Sequence, residues 1–302
     1  MIRYDGFTKA YDGHAAVDHL TAEVPRGATV ALLGPNGSGK TTSIKAAAGL
    51  VRPTSGAVLL GTEGRPASDA EARRACSFLP QRVSFPDALT GREVVEFYRR
   101  LRGAPSEATE RVLKFASLNG AGSRAVSTYS GGMTQRLGLA VAMVPDAEVL
   151  LLDEPTAALD PDGLCAFYGL IEARRTSGRT VFFSSHQLGD VERLADLIFV
   201  LIEGRLTVTL TATELAARLA NRGVMRVCLA GRVPGLMERV KAIAPKALWA
   251  SPDLNDLIVP GPAAARLQVL DTVRAAGGEI LGLMAEEGRL DQFYRELIGG
   301  AT

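Results

Sequence analysis

One uninterrupted run, Gly34-Pro35-Asn36-Gly37-Ser38-Gly39-Lys40-Thr41, constrains this chain more than any other stretch. It is a complete GxxxxGK[ST] loop that follows the predicted strand Ala28 to Leu33 and opens a predicted helix, with Thr42 counted among the nucleotide-binding residues beside it. A strand, a glycine loop and a helix in that order make a phosphate cradle. The glycines let backbone N–H groups curl around phosphate oxygens, and the helix directs its positive dipole end at them. Lys40 supplies a point charge for the β- and γ-phosphates, and Thr41 a hydroxyl for Mg²⁺. A glycine-rich turn matching by accident would have to fall into register at every position and also acquire the right flanks.

Such a loop needs an acidic partner at the end of a neighbouring buried strand. Val149-Leu150-Leu151-Leu152-Asp153-Glu154 provides two carboxylates in succession. Asp153 suits Mg²⁺, and Glu154 suits a base that polarises the attacking water. Alone, the pair would equally suit a cap on the element that follows Pro155. Further apolar runs, Cys76 to Leu79 and Thr180 to Ser184, read as buried strands separated by helical patterns. That alternation predicts an α/β core with a largely parallel sheet.

The pattern changes near Gly204-Arg205, and the chain is divided into 1–215 and 216–302. The second part reads as strand Met225 to Leu229, helix Gly235 to Ile243, strands Ala247 to Ala250 and Leu254 to Val259, helix Ala263 to Ala276, and strand Glu279 to Met284. A short helix from Leu290 to Leu297 follows. The order βαββαβ predicts a small α+β, ferredoxin-like domain.

Composition excludes several functions. With 34 Lys and Arg against 33 Asp and Glu, the chain has no global field to hold nucleic acid or an anionic membrane. Cys76, Cys165 and Cys228 are far apart and odd in number, as reduced and buried structural thiols would be. The polar N-terminus offers no secretory signal, and the apolar runs fall far short of the ~20 residues a bilayer needs. Action at a membrane therefore requires a partner.

Ser130-Gly131-Gly132 resembles the signature motif of ABC ATPases, and the other elements follow that family's order over the first two-thirds of the chain. The resemblance implies an α/β P-loop NTPase core with a helical subdomain, here about 82–140. It further implies that Gln81 sits in the Q-loop near Mg²⁺, Asp160 in the D-loop, and His186, after Ser184-Ser185, near the γ-phosphate. Tyr11 resembles the aromatic that stacks on adenine, with Tyr4 and Phe7 as rival rings. The motif departs from the commonest LSGGQ form at Tyr129 and Met133. Ser130 and Gly132 retain the hydroxyl and the backbone N–H that meet phosphate at a helix start.

In this family one subunit's signature completes the other's ATP site. The resemblance therefore implies ATP and Mg²⁺ as cofactors, and pairing with a second copy or a related subunit. It also implies a separate integral-membrane permease, which would hold the protein on the cytoplasmic face of the membrane. The stretch Leu290 to Tyr294 resembles the tail of ATPases serving ABC-2-type permeases, most of which export. The stretches Val126 to Ser130 and Gln135 to Ala140 also resemble the ATPase that supports copper-site maturation of nitrous oxide reductase; Met225, Cys228, Met237 and Met284, however, are spaced as core residues. The rival reading is a soluble ABC-type switch acting on a nucleic acid or protein, which the neutral charge disfavours. A P-loop kinase leaves Ser130 and His186 unexplained. In the helical lobe, Phe85 and Leu89 either receive a short helix from the permease or pack beneath their own loop.

Overall fold

A computed structural model describes residues 1–220, 223–251 and 254–286, together with Tyr294 and Leu297. The chain comprises two compact units, Met1–Ala212 and Thr213–Thr302.

The first unit begins with a hairpin of β1 (Ile2–Tyr11) and β2 (His14–Val24), which turns at Asp12 and Gly13, both with positive φ. β3 (Thr29–Leu33) is buried throughout and leads through the glycine loop into α1 (Lys40–Ala47). Next come β4 (Ser55–Leu60), β5 (Arg65–Pro66), α2 (Ala70–Arg74) and β6 (Cys76–Leu79). Three helices follow, α3 (Gly91–Arg102), α4 (Ala108–Phe115) and α5 (Gly131–Met143). The chain then returns to the core as β7 (Val149–Leu152), α6 (Pro161–Thr176), β8 (Thr180–Ser185), α7 (Leu188–Leu194), β9 (Leu197–Ile202) and β10 (Arg205–Thr211).

Six strands form one sheet in the order β10-β9-β3-β8-β7-β6, all parallel except β10. The four segments read as buried strands from the sequence lie side by side in it, so the carboxyl ends of β3, β7 and β8 open on one edge. A second, antiparallel sheet, β2-β1-β4-β5, was not foreseen. Ile2, Tyr4 and Phe7 from this sheet pack in one core with Val30, Leu32, Ile44 and Phe182. Burying each such side chain stabilises by about 1.5–3 kcal/mol.

The predicted helical lobe is present. Thr90 and Glu93 make a reciprocal capping box at the start of α3, and Gly103 ends the helix in the left-handed conformation. Val94, Val95, Val112, Leu113, Leu137 and Ala140 from α3, α4 and α5 form its core. Phe85 and Leu89 are partly buried against this core, as the local-packing reading expects. The exposed apolar side chains are instead Phe97 and Leu101, one helical turn apart on α3.

In the second unit, α8 (Ala212–Ala220) leads to β11 (Val224–Leu229), α9 (Leu236–Ile243), β12 (Leu248–Trp249), β13 (Asp256–Pro260), α10 (Ala263–Ala275) and β14 (Ile280–Glu286). The sheet order β12-β13-β11-β14 is antiparallel throughout, as βαββαβ predicts. Leu236 and Val240 of α9 and Val269 and Val273 of α10 pack on the inward residues Met225, Val227, Leu257 and Val259. The helix expected from Leu290 to Leu297 lies almost wholly outside the described residues.

Two expectations need correction. Only Cys76 is a buried thiol; Cys165, on the solvent side of α6, is exposed and Cys228 half-buried. Burial pushes the Cys76 thiol up to about 11. Met284 is not a core residue either: it pairs with the exposed Arg226 on the sheet face that does not meet the core, and is itself exposed. Among the described residues no helix is long and apolar enough to cross a membrane.

Candidate nucleotide site

At the end of β3 the chain turns sharply through the glycine loop. Gly39 caps α1 at φ +96°, and a Cβ there would collide with the carbonyl of Ala16, so only glycine fits. Lys40 is the first residue of α1 and is buried. Its Nζ donates to the carbonyls of Gly34 (2.8 Å) and Pro35 (3.1 Å), drawing the ammonium inside the loop. Around this loop is a cleft of about 520 Å³, lined by Tyr11, Asn36, Gly37, Ser38, Gly39, Lys40, Thr41, Thr42, Gln81 and Glu154. Tyr11 is 47% exposed at the end of β1, whereas its rivals Tyr4 and Phe7 are buried in the core.

The two carboxylates after β7 occupy different environments. Asp153 is fully buried. Its Oδ1 accepts from Thr41 Oγ1 (3.1 Å) and Ser184 Oγ (2.8 Å), while its Oδ2 has no partner. Glu154 has a left-handed backbone, φ +49°, which costs a non-glycine residue about 1–3 kcal/mol. Its N–H donates to Ser184 Oγ at 2.9 Å. Its carboxylate bridges the Lys40 ammonium, 3.4 Å from Oε1, and the His186 imidazole, whose Nδ1 is 2.7 Å from Oε2. Both Lys40 and Glu154 side chains are only 6% exposed. Ser184, which ties both carboxylates to β8, was not singled out from the sequence; a hydroxyl at the end of a parallel strand was the available signal.

An orphan, buried carboxylate oxygen beside a threonine hydroxyl is a hard-oxygen donor set that suits Mg²⁺. Burial pushes the Asp153 carboxyl above its ordinary range, and the hydrogen bonds from Ser184 and Thr41 oppose that shift. The folded chain thus holds this proton more firmly than the unfolded chain. Asp153 contributes stability in acid, and the contribution is lost as pH rises through the raised folded value. Asp153→Asn should therefore stabilise the nucleotide-free protein at neutral pH, by about 1–3 kcal/mol, with the gain vanishing in acid. Calorimetry in acidic and neutral buffers checks this, and an equal gain in both would contradict it.

The signature residues lie elsewhere. Ser130 caps α5, its Oγ accepting from the N–H of Met133 at 3.2 Å, and Ser130 and Gly131 are exposed. None of Ser130, Gly131, Gly132 and Asp160 lines the cleft. Asp160 caps α6 through Gly163 N–H (2.9 Å), and its Oδ2 accepts from Arg136 Nη2 (3.2 Å). A Cβ on Gly132 would come within 3.1 Å of that same oxygen, so the glycine admits the Asp160 carboxylate against α5. The departures from LSGGQ also have local reasons. Tyr129 OH donates to the Ala121 carbonyl (2.8 Å), and Met133 packs into the lobe's core.

A family model described as ABC transporter matches residues 17–157. Across 99% of its length, the chain is 32% identical to the daunorubicin resistance ATP-binding protein DrrA3 of Streptomyces coeruleorubidus, covering 96% of that protein. The chain belongs to the ATP-binding proteins of ABC transporters. This ABC ATPase is also 35% identical to the bacitracin transport ATP-binding protein BcrA of Enterococcus faecalis, over 72% of its own chain and 71% of the relative. Among solved structures it matches the dimeric post-hydrolysis state of the cassette MJ0796 bound to ADP and Pi. That match has a TM-score of 0.65 and 25% identity, covering 70% of this chain and 99% of that one. ATP binding and hydrolysis follow for this ABC ATPase. The likeness to a copper-maturation ATPase gains nothing from these relatives. Among the described residues no group of three or more His, Cys, Asp or Glu is arranged to hold a metal ion.

Proposed function

We propose that this ATPase pairs with a second copy of itself or a related subunit and drives a separate integral-membrane permease that exports small toxic compounds. The observation that carries the reading is the division of the site. The cleft holds Lys40, Thr41, Gln81 and Glu154, whereas Ser130, Gly131 and Gly132 do not line it, and Ser130 and Gly131 are exposed. Two chains are then needed to enclose each ATP.

Within one half, the loop amides and Lys40 hold the phosphates, and Tyr11 stacks on the base. Thr41 and Asp153, with Gln81 beside them, would hold Mg²⁺, which when bound neutralises charge on the β- and γ-phosphates. Glu154 accepts a proton from water as the water oxygen attacks the γ-phosphorus; the bond to the bridging oxygen breaks and ADP leaves. His186 holds Glu154 through Nδ1 and presents its remaining ring edge to the phosphate. Ser130, Gly132 and Asp160 serve the ATP held by the opposite subunit. Binding two ATP molecules joins the halves, and hydrolysis releases them.

The names of DrrA3 and BcrA, a drug-resistance protein and a bacitracin transport protein, support export. The protein would then work in the cytoplasm, peripheral to the membrane through its permease. The surface proposed to meet the permease is on α3, where Phe97 and Leu101 are 59% and 67% exposed. Leu101 borders an apolar hollow of about 390 Å³ shared with Leu50 and Tyr98. Replacing Phe97 and Leu101 together by serine should leave hydrolysis by the isolated protein unchanged and abolish co-purification with the permease. Retained co-purification would remove this surface from the account.

A further inference from the structure

Asp190 lies outside the cleft lining and is 4% exposed, yet both its carboxylate oxygens are engaged. Thr156 Oγ1 donates to Oδ2 at 2.6 Å, and Tyr168 OH donates to Oδ1 at 2.8 Å. The Arg193 guanidinium covers the Tyr168 ring at 4.1 Å. Three elements meet here. Thr156 belongs to the turn after β7, just beyond Glu154; Tyr168 belongs to α6; and Asp190 lies in the first turn of α7, shortly after His186.

Glu154 is therefore pinned from both sides. Upstream, its own N–H is held by Ser184 Oγ; downstream, Thr156 is held by Asp190. A left-handed backbone at a glutamate persists only where its surroundings over-determine it, and these two anchors do so. The Thr156–Asp190 bond also spans the segments that carry Glu154 and His186, whose side chains meet at 2.7 Å.

We propose that Asp190, through Thr156 and Tyr168, is a positioning residue for hydrolysis: it fixes the Glu154 segment against the His186 segment. The inference rests on the reading of Glu154 and His186 as the hydrolytic pair. Thr156, Tyr168 and Asp190 do not line the phosphate cleft, so loosening them alters the chemical step and leaves nucleotide capture intact. A purely structural clasp between α6 and α7 would instead change folding stability with no selective effect on turnover.

The test compares Thr156→Val, which keeps the shape and removes the hydroxyl, with Thr156→Ser, which restores it, and with the milder Tyr168→Phe. For each, kcat and KM for MgATP and the thermal midpoint are measured on the full chain. Thr156→Val and Tyr168→Phe should lower kcat by about tenfold, with KM held within about twofold and Thr156→Ser close to the parent. Unchanged kcat in both variants, or kcat lost equally in Thr156→Ser and Thr156→Val, would overturn the proposal. If Thr156→Val fails to fold, Tyr168→Phe decides. Glu154→Gln is run alongside. Full turnover by it would remove the hydrolytic pair itself, whereas an inactive Glu154→Gln with normal Thr156→Val and Tyr168→Phe removes only the positioning role.

Discussion

Glu154→Gln should lower steady-state hydrolysis by about a thousandfold, the loss expected when a general base is removed, and leave ATP binding intact. The amide preserves the size of the side chain but cannot take a proton from water. It also removes the negative charge between Lys40 and His186. A buried Lys40 then keeps only the carbonyls of Gly34 and Pro35, so the nucleotide-free variant should be less stable than the parent. ATP phosphates replace the missing charge. The variant should therefore show a larger ATP-induced rise in thermal midpoint and accumulate as an ATP-bound dimer on size exclusion. Parental turnover would remove Glu154 from the chemical step.

Lys40→Ala should fail earlier, at binding. Hydrogen bonds to charged groups contribute about 1.5–3 kcal/mol each, so loss of the ammonium facing the phosphates should weaken ATP binding by about ten- to a hundredfold. It also leaves the buried Glu154 carboxylate without its ammonium partner, with the His186 ring as its remaining side-chain neighbour, and that carboxylate repels the incoming phosphates. Titration calorimetry with ATP separates the two variants. Equal affinity in Lys40→Ala and the parent would contradict the cradle.

The features legible in the sequence are local ones. The glycine loop, the acid pair after Val149–Leu152 and the βαββαβ order of the second unit each follow from spacing, apolar runs and turn residues within a short window. The β2-β1-β4-β5 sheet was missed for a physical reason. β1 carries register shifts after Tyr4 and Phe7, which break the alternation that marks a strand. Long-range side-chain bonds leave no trace in spacing. The contacts of Ser184 with Asp153, Arg136 with Asp160 and Asp190 with Thr156 join residues brought together only by the parallel sheet and its crossovers. The four-residue spacing of Phe97 and Leu101 puts them on one helix face, but spacing alone does not say whether that face is exposed or buried.

The claim on which the account turns is that each ATP is enclosed by two chains. Ser130→Arg puts a bulky cation where the signature would meet the opposite subunit's nucleotide, and it lies outside the cleft of its own chain. Mixing Lys40→Ala and Ser130→Arg subunits places both defects in one composite site and leaves the other intact. Hydrolysis by the mixture should exceed that of either variant alone, each of which should be nearly inactive, and it should rise with protein concentration. Normal hydrolysis by Ser130→Arg alone, independent of concentration, would contradict the shared site.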